Sequence, residues 1–220
     1  MTNLEKHEIF EIEVLEKLNS ARLLDSLVFG GGTMLRLCHE LDRFSADLDF
    51  WLTKKLDQKK YLKSLKEALS TDYELTDLHI KFHTILAELR SRDYPMRLKL
   101  EIRKKEKDFD IEERIAFSRH NTRQVALKVH TLGQTMKNKI EAGLSRREIR
   151  DFFDIEFLLR RGVPFETDKK TLEGLTKIIT GFKDKDYKVT LGSVLEPEAR
   201  RYYVKNKFSY LLETIRGLAK

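Results

Sequence analysis

The stretch from Val28 to Phe50, VFGGGTMLRLCHELDRFSADLDF, decides the fold of this 220-residue chain. Its glycine run, Gly30 to Gly32, opens an apolar segment with helical spacing. Glycines have no Cβ, so the backbone can adopt positive φ and turn its N–H groups toward an anion. Thr33 has the side chain of a helix N-cap, and we expect it to cap this helix. The pattern predicts a cradle for the phosphates of a nucleoside triphosphate.

Two aspartates follow one short loop later, in Ser45-Ala46-Asp47-Leu48-Asp49-Phe50. The alternation of a β-strand would send Asp47 and Asp49 to one face and the apolar residues to the other. Two adjacent carboxylates repel each other unless a cation lies between them, and Mg²⁺ prefers oxygen ligands. The sequence therefore predicts a magnesium site beside the phosphate cradle.

Each half of this motif has a simpler interpretation. A Gly-Gly pair before a helix is commonly a tight turn, and Asp-Leu-Asp is commonly a solvated strand edge. The two halves in this order and at this spacing are far more specific.

Together, GGTMLRL and RFSADLDF resemble the first motif of the nucleotidyltransferase fold, and more closely the AbiEii/AbiGii toxin family of nucleotidyltransferase-like proteins. The resemblance implies an α+β fold, a mixed β-sheet with flanking helices followed by a helical C-terminal half. It also implies that the nucleotide is bound by Gly31, Gly32, Thr33 and Ser45.

The resemblance implies a third carboxylate on a later strand, and Glu101 is the candidate. In the segment 96–103 strict alternation puts Met, Leu, Leu and Ile on one face and Glu101 on the other, beside basic residues. A lone acid in such a strand is otherwise a cross-strand charge partner. The family more often has Asp here. By resemblance, Asp47, Asp49 and Glu101 would hold one or two Mg²⁺ ions.

A second resemblance lies in the C-terminal half, where Lys139 is followed by the block Arg150-Asp151-Phe152-Phe153-Asp154. On a helix, Asp151 and Asp154 share one face. Without the family, this segment is an amphipathic helix with an acid near its start, which the helix dipole favours. With the family, Lys139 is a phosphate ligand and Asp154 a catalytic or orienting acid.

The chain carries a formal net charge of +7, which favours a polyanionic partner. Basic residues that could follow a phosphate backbone cluster in two places: Arg97, Lys99, Arg103, Lys104, Lys105 and Lys107, and Arg146, Arg147 and Arg150. The N-terminus has no signal-peptide core and no apolar run approaches the roughly 20 residues of a membrane span. We expect a cytoplasmic protein.

Periodicity predicts helices near 4–19, 33–41, 58–70, 134–144, 148–161 and 198–217, and strands near 47–53, 73–82, 85–90 and 96–104. From about residue 121 the pattern indicates helix. We therefore expect a nucleotidyltransferase-like core in residues 1–120 and a helical region in residues 121–220 that completes the active-site cleft.

The predicted activity is transfer of a nucleotide from a nucleoside triphosphate to an acceptor, with pyrophosphate leaving. The resemblance implies a toxin of a toxin–antitoxin system, with RNA (tRNA) as the acceptor and a cognate antitoxin as partner. Two alternatives stay open: the acceptor is a protein or a small molecule, or the chain is a non-catalytic nucleotide- or RNA-binding module on the same fold.

Overall fold

A computed structural model describes residues 1–104 and 107–218, so Lys105 of the first basic cluster lies outside the described residues. The chain divides into two compact units. Unit 1 comprises residues 1–40 and 44–131, and unit 2 comprises residues 41–43 and 132–220.

Within its described residues, unit 1 contains three helices and a seven-stranded sheet. The helices are α1 (Asn3–Ser20), α2 (Gly31–His39) and α3 (Gln58–Leu69). The strands are β1 (Leu27–Gly30), β2 (Asp47–Leu52), β3 (Glu74–Ile80), β4 (Thr84–Arg90), β5 (Leu98–Arg103), β6 (Ile111–Phe117) and β7 (Gln124–His130).

The sheet is mixed, with strand order β3-β4-β5-β2-β1-β7-β6. The pairs β1–β7 and β2–β5 are parallel, and the other neighbouring pairs are antiparallel. In β2 and β5 buried apolar residues alternate with more exposed polar or aromatic ones, which gives the sheet one buried face and one open face. This confirms the predicted α+β fold with a mixed sheet and flanking helices.

Helices α1 and α2 contact sheet strands. A capping box starts α1, with Thr2 and Glu5 each bonding the other's backbone N–H. The helix buries an apolar stripe that includes Phe10, Val14 and Leu18. It also buries three polar residues that bear on the site described below.

Unit 2 is helical, as predicted. It contains α4 (Leu132–Arg146), α5 (Ile149–Arg160), α6 (Lys169–Gly181), a π-helical turn at Asp186–Leu191, a 3₁₀ turn at Gly192–Val194, α7 (Pro197–Asn206) and α8 (Ser209–Leu218). Helices α4 and α5 meet at Gly143, where a Cβ would lie 3.4 Å from the Phe152 ring. No described helix is long and apolar enough to cross a membrane.

The prediction of helix from residue 121 onward is wrong for residues 124–130, which form β7. Val125, Leu127 and Val129 are buried between more exposed neighbours, so the period is two, and the strand pairs with β1 and β6. Apart from residues 41–43, the division between the two compact units falls after Thr131.

The predicted helix 198–217 is two helices. Lys207 has a φ of 52°, which ends α7, and the buried Phe208 precedes α8. The half-buried Val204 and the buried Phe208, Leu211 and Ile215 keep helical spacing across this break, which explains why the sequence suggested one helix. Strand β6 and helix α6 were not predicted; as an edge strand, β6 buries only Ala116 and gives a weak pattern.

Candidate active site

The glycine turn joins β1 to α2 and lies directly against Asp49. Gly31 has a φ of +77°, and a Cβ there would lie 2.5 Å from Asp49 Oδ2. Both the left-handed backbone and the close contact require glycine at this position. The start of α2 therefore lies beside Asp49, and the N-cap residue, Gly30, has no side chain with which to cap the helix.

Thr33 does not cap α2 as predicted, because the N-cap position is occupied by Gly30. Thr33 is fully buried, and its hydroxyl donates to the Asp47 carbonyl oxygen at 2.6 Å. The hydroxyl thus holds the first residue of β2, and the backbone N–H is the group that Thr33 offers to an anion. Ser45 is half-buried in the segment just before β2.

The three carboxylates that the sequence predicts in unit 1, Asp47, Asp49 and Glu101, lie on the open face of the sheet. In β2, Asp47 is exposed and Asp49 half-buried, whereas Leu48 and Phe50 are buried. The parallel register pairs Asp49 with Glu101 of β5, and the antiparallel register pairs it with Gly30. The structure therefore brings the glycine turn, Asp49 and Glu101 together. Asp47 lies two residues before Asp49 on the same face of β2.

Cations of β5 flank these acids. Lys99 Nζ donates to Glu101 Oε2 at 2.7 Å, and an Arg103 Nη2 lies 4.0 Å from Asp49 Oδ1. The Arg103 guanidinium also lies over the Trp51 ring, 4.8 Å from its centroid. Hydrogen bonding to Glu101 raises the pKa of the Lys99 ammonium. As they stand, no three His, Cys, Asp or Glu side chains of the described residues are arranged to hold a metal ion.

Helix α1 contributes a buried polar layer that sequence reasoning missed. His7 Nε2 lies 2.9 Å from the Ala46 carbonyl oxygen, to which it donates. Glu8 accepts from Arg36 Nε at 2.7 Å and from Ser118 Oγ at 2.5 Å. These contacts hold α1 to α2 and to the residue that precedes Asp47.

Glu11 is the least solvated acid of this layer. Its Oε1 lies 3.4 Å from Thr33 Oγ1, whose single proton is donated to the closer Asp47 carbonyl. Burial, together with the neighbouring Glu8 carboxylate, raises the pKa of Glu11 well above its ordinary value. The protonated carboxyl is therefore favoured, because it can donate to Thr33 and avoids an uncompensated buried charge. The sequence does carry a signal for this buried layer. In α1, His and Glu stand at positions where an amphipathic helix ordinarily has apolar residues.

In unit 2, Lys139 and Asp154 belong to one buried ionic cluster. Lys139 Nζ lies 2.5 Å from Asp154 Oδ2 and 3.2 Å from Asp151 Oδ1. Arg43 donates to both oxygens of Asp154, at 2.6 and 2.7 Å, and Arg146 donates to both oxygens of Asp151 at 2.7 Å. Lys139 is 6% exposed and Asp154 fully buried. The two residues assigned by resemblance are thus in direct contact.

Arg43 is the member of this cluster that sequence reasoning overlooked. It lies in the RFSADLDF segment, four residues before Asp47, yet it belongs to unit 2. Burial alone would raise the pKa of Asp154, but the charges of Arg43 and Lys139 bring it below the ordinary value. Asp154 is therefore an anion at neutral pH.

A mixed sheet in which a glycine turn at a helix N-terminus packs against paired strand carboxylates defines a nucleotidyltransferase-like protein. The family comparison agrees: the model of the nucleotidyl transferase AbiEii toxin, type IV toxin–antitoxin system, matches residues 13–203. The chain belongs to this family, which confirms the resemblance seen in the sequence. No curated protein matches it.

Solved structures with the same fold include JHP933 from Helicobacter pylori, with 21% identity, a TM-score of 0.54 and 95% of each chain covered. Another is MenT4, a nucleotidyltransferase toxin from Mycobacterium tuberculosis, with 16% identity and a TM-score of 0.51. That match covers 96% of this chain and 89% of MenT4. At these identities the structures support the fold alone.

Proposed function

We propose that this toxin transfers a nucleotide from a nucleoside triphosphate to an RNA acceptor, tRNA, in a reaction that requires Mg²⁺ and releases pyrophosphate. The observation that carries the proposal is the contact between Gly31 and Asp49, with Glu101 paired to Asp49 across the strands. A site for the phosphates and a site for a cation are then adjacent. A cognate antitoxin as partner follows from the family.

The donor chemistry fits Mg²⁺. Asp47, Asp49 and Glu101 offer carboxylate oxygens on one open face, the ligands that a hard divalent cation prefers. These three residues would hold the ion once Glu101 leaves Lys99. When bound, Mg²⁺ supplies charge neutralisation at the phosphate and lowers the pKa of an attacking oxygen.

The chain itself supplies binding and orientation. The N–H groups of Gly31, Gly32 and Thr33 lie in the first turn of α2 and would bind the phosphates there, where the helix dipole also favours negative charge. Thr33 and His7 hold the backbone at Asp47 and Ala46, so the segment that carries the first carboxylate is fixed before the substrate arrives. Ser45 is proposed as a further nucleotide contact on the family resemblance alone.

The roles of Lys139 and Asp154 are likewise proposed from the resemblance. Lys139 would bind a phosphate oxygen while it keeps its contacts with Asp151 and Asp154, and Asp154 would orient Lys139 or act on the acceptor. Their direct contact supports a shared role. The net charge of +7 supports an RNA acceptor, since phosphate contacts dominate nucleic-acid affinity.

The test is incubation with labelled nucleoside triphosphates and total cellular RNA, with and without Mg²⁺. We expect label on RNA near tRNA size with wild-type protein and Mg²⁺, and at least a hundredfold less with Asp47→Asn, because the variant loses a metal ligand. Asp25→Asn is the matched control: it removes one carboxylate from an exposed turn of unit 1. The label on RNA should also fall steeply with salt.

The other outcomes distinguish the alternatives. Label on protein alone would replace RNA by a protein acceptor. Nucleotide binding without any label would indicate a non-catalytic module. Equal labelling of RNA by wild-type protein and Asp47→Asn would refute the proposed site.

A further inference from the structure

Strand β5 places a lysine within the cluster of proposed metal ligands. The parallel register pairs Lys99 with Asp47 and Glu101 with Asp49, so Lys99 and the three carboxylates occupy neighbouring positions on one face. The Lys99 ammonium donates to Glu101 at 2.7 Å. In the protein without substrate, this lysine therefore neutralises part of the negative charge that a metal ion would otherwise neutralise.

The Lys99–Glu101 pair is poorly buried. The Lys99 side chain is 40% exposed and that of Glu101 22% exposed. An ion pair in that setting contributes little free energy, because water competes for both charges. Its partners can therefore exchange at low cost.

Lys139 differs from Lys99 in this respect. Its side chain is 7% exposed, it contacts two carboxylates, and one of them is also held by Arg43. Separating buried ions leaves uncompensated charge, which is strongly unfavourable. Of these two lysines, Lys99 is the one whose environment permits a change of partner.

We propose that Lys99 is an exchangeable internal counter-ion of the active site. In the protein without substrate it neutralises Glu101, and when a metal ion with a triphosphate binds, it releases Glu101 to the metal and binds a phosphate oxygen. Lys suits this role because its ammonium is a compact charge on a flexible stem. The inference rests on the proposed function and adds a substrate-binding residue to that site.

If Lys99 exchanges partners, removing its charge should change the affinities for two probes, Mn²⁺ and inorganic triphosphate, in opposite directions. Lys99→Met removes the cation that competes for the carboxylates, so Mn²⁺ alone should bind three- to tenfold more tightly, as measured by electron paramagnetic resonance. The same variant loses a phosphate contact, so inorganic triphosphate in saturating Mg²⁺ should bind about tenfold more weakly by calorimetry. Lys99→Arg keeps the charge and should restore most of the triphosphate affinity.

The matched control is Lys128→Met in β7. It removes the same charge from an exposed position of the same sheet, where the register pairs Lys128 with Glu113. We expect less than a twofold change for either probe. Equal responses of the two Met variants would overturn the inference, because they would reflect net charge alone.

The proposed function and this inference fail differently. Wild-type protein that binds neither probe refutes the metal–triphosphate site and, with it, the exchange. Wild-type protein that binds both probes, with Mn²⁺ affinity unchanged or weaker in Lys99→Met, refutes the exchange and leaves the proposed function standing.

Discussion

Replacing Asp154 by Asn tests whether the ionic cluster of unit 2 is needed for folding. The substitution keeps the shape of the side chain but removes its charge. Asp154 is fully buried and accepts two hydrogen bonds from Arg43 and one from Lys139, and these cations are 4% and 7% exposed. Removing one partner of a buried pair costs about 3–5 kcal/mol, because the remaining charges stay desolvated. For a chain of this length the loss lowers the Tm by roughly 6–20 °C.

The assay is urea denaturation followed by circular dichroism, together with calorimetric Tm. Glu148→Gln is the control, because Glu148 pairs with Arg150 at 2.9 Å and both side chains are nearly half exposed. We expect the control to change the free energy of unfolding by less than about 1 kcal/mol.

The pH dependence follows from the lowered pKa of Asp154. The folded protein binds this proton more weakly than the unfolded chain does, so the stabilisation is complete above the ordinary pKa. It is lost as pH falls below about 4, through the lowered folded pKa. The Asp154→Asn variant lacks this component, so its stability should fall less in acid.

An Asp154→Asn variant with wild-type stability would refute this reasoning. If that variant also lost nucleotide transfer, Asp154 would be a catalytic acid, as the family resemblance implies. If the Asp154→Asn variant kept both wild-type stability and full nucleotide transfer, neither a structural nor a catalytic role of Asp154 would be supported.

Two further predictions concern unit 1. Gly31→Ala should destabilise the protein more than Gly162→Ala, and only Gly31→Ala should weaken triphosphate binding in calorimetry. Both glycines have left-handed φ, which costs about 1–2 kcal/mol for alanine, but only at Gly31 would the Cβ meet another residue, Asp49 at 2.5 Å. An equal loss of stability in the two alanine variants would show that Asp49 moves aside for the Cβ at position 31, and would contradict this prediction. Glu11→Gln should be as stable as wild type near pH 4 and increasingly more stable as pH rises, measured by denaturation between pH 5 and 8. The raised pKa of Glu11 means that wild type loses stability as pH rises above the ordinary carboxyl value, and Gln cannot ionise. A constant difference across that range would contradict a protonated Glu11.

Local rules were sufficient for much of unit 1. The alternation in β2 and β5 put Asp47, Asp49 and Glu101 opposite the buried apolar residues, and the structure agrees. Gly31 has the positive φ that a Gly-rich turn suggested. These features depend on the missing Cβ of one glycine or on the alternation within one strand, so they can be predicted from the sequence.

Other features depend on which segments the fold brings together. Thr33 was expected to cap a helix, but its hydroxyl instead holds Asp47, because β2 lies against α2. Residues 124–130 form a strand that pairs along its length with β6 and, through Val129 and Phe29, with β1, one hundred positions earlier in the chain. The contacts of His7 and Glu11, and the pairing of Lys99 with Asp47, likewise depend on residues from other segments, and no local sequence pattern predicts which residues those are.

The sequence by itself determined the fold family, the acids of the candidate site and the glycine turn that contacts them. The tertiary structure alone decided which charges neutralise one another: Lys99 with Glu101, and Arg43 with Asp154 across 111 positions. The physical reason is that an ion pair depends on distance and burial, and both are set only when the chain has folded.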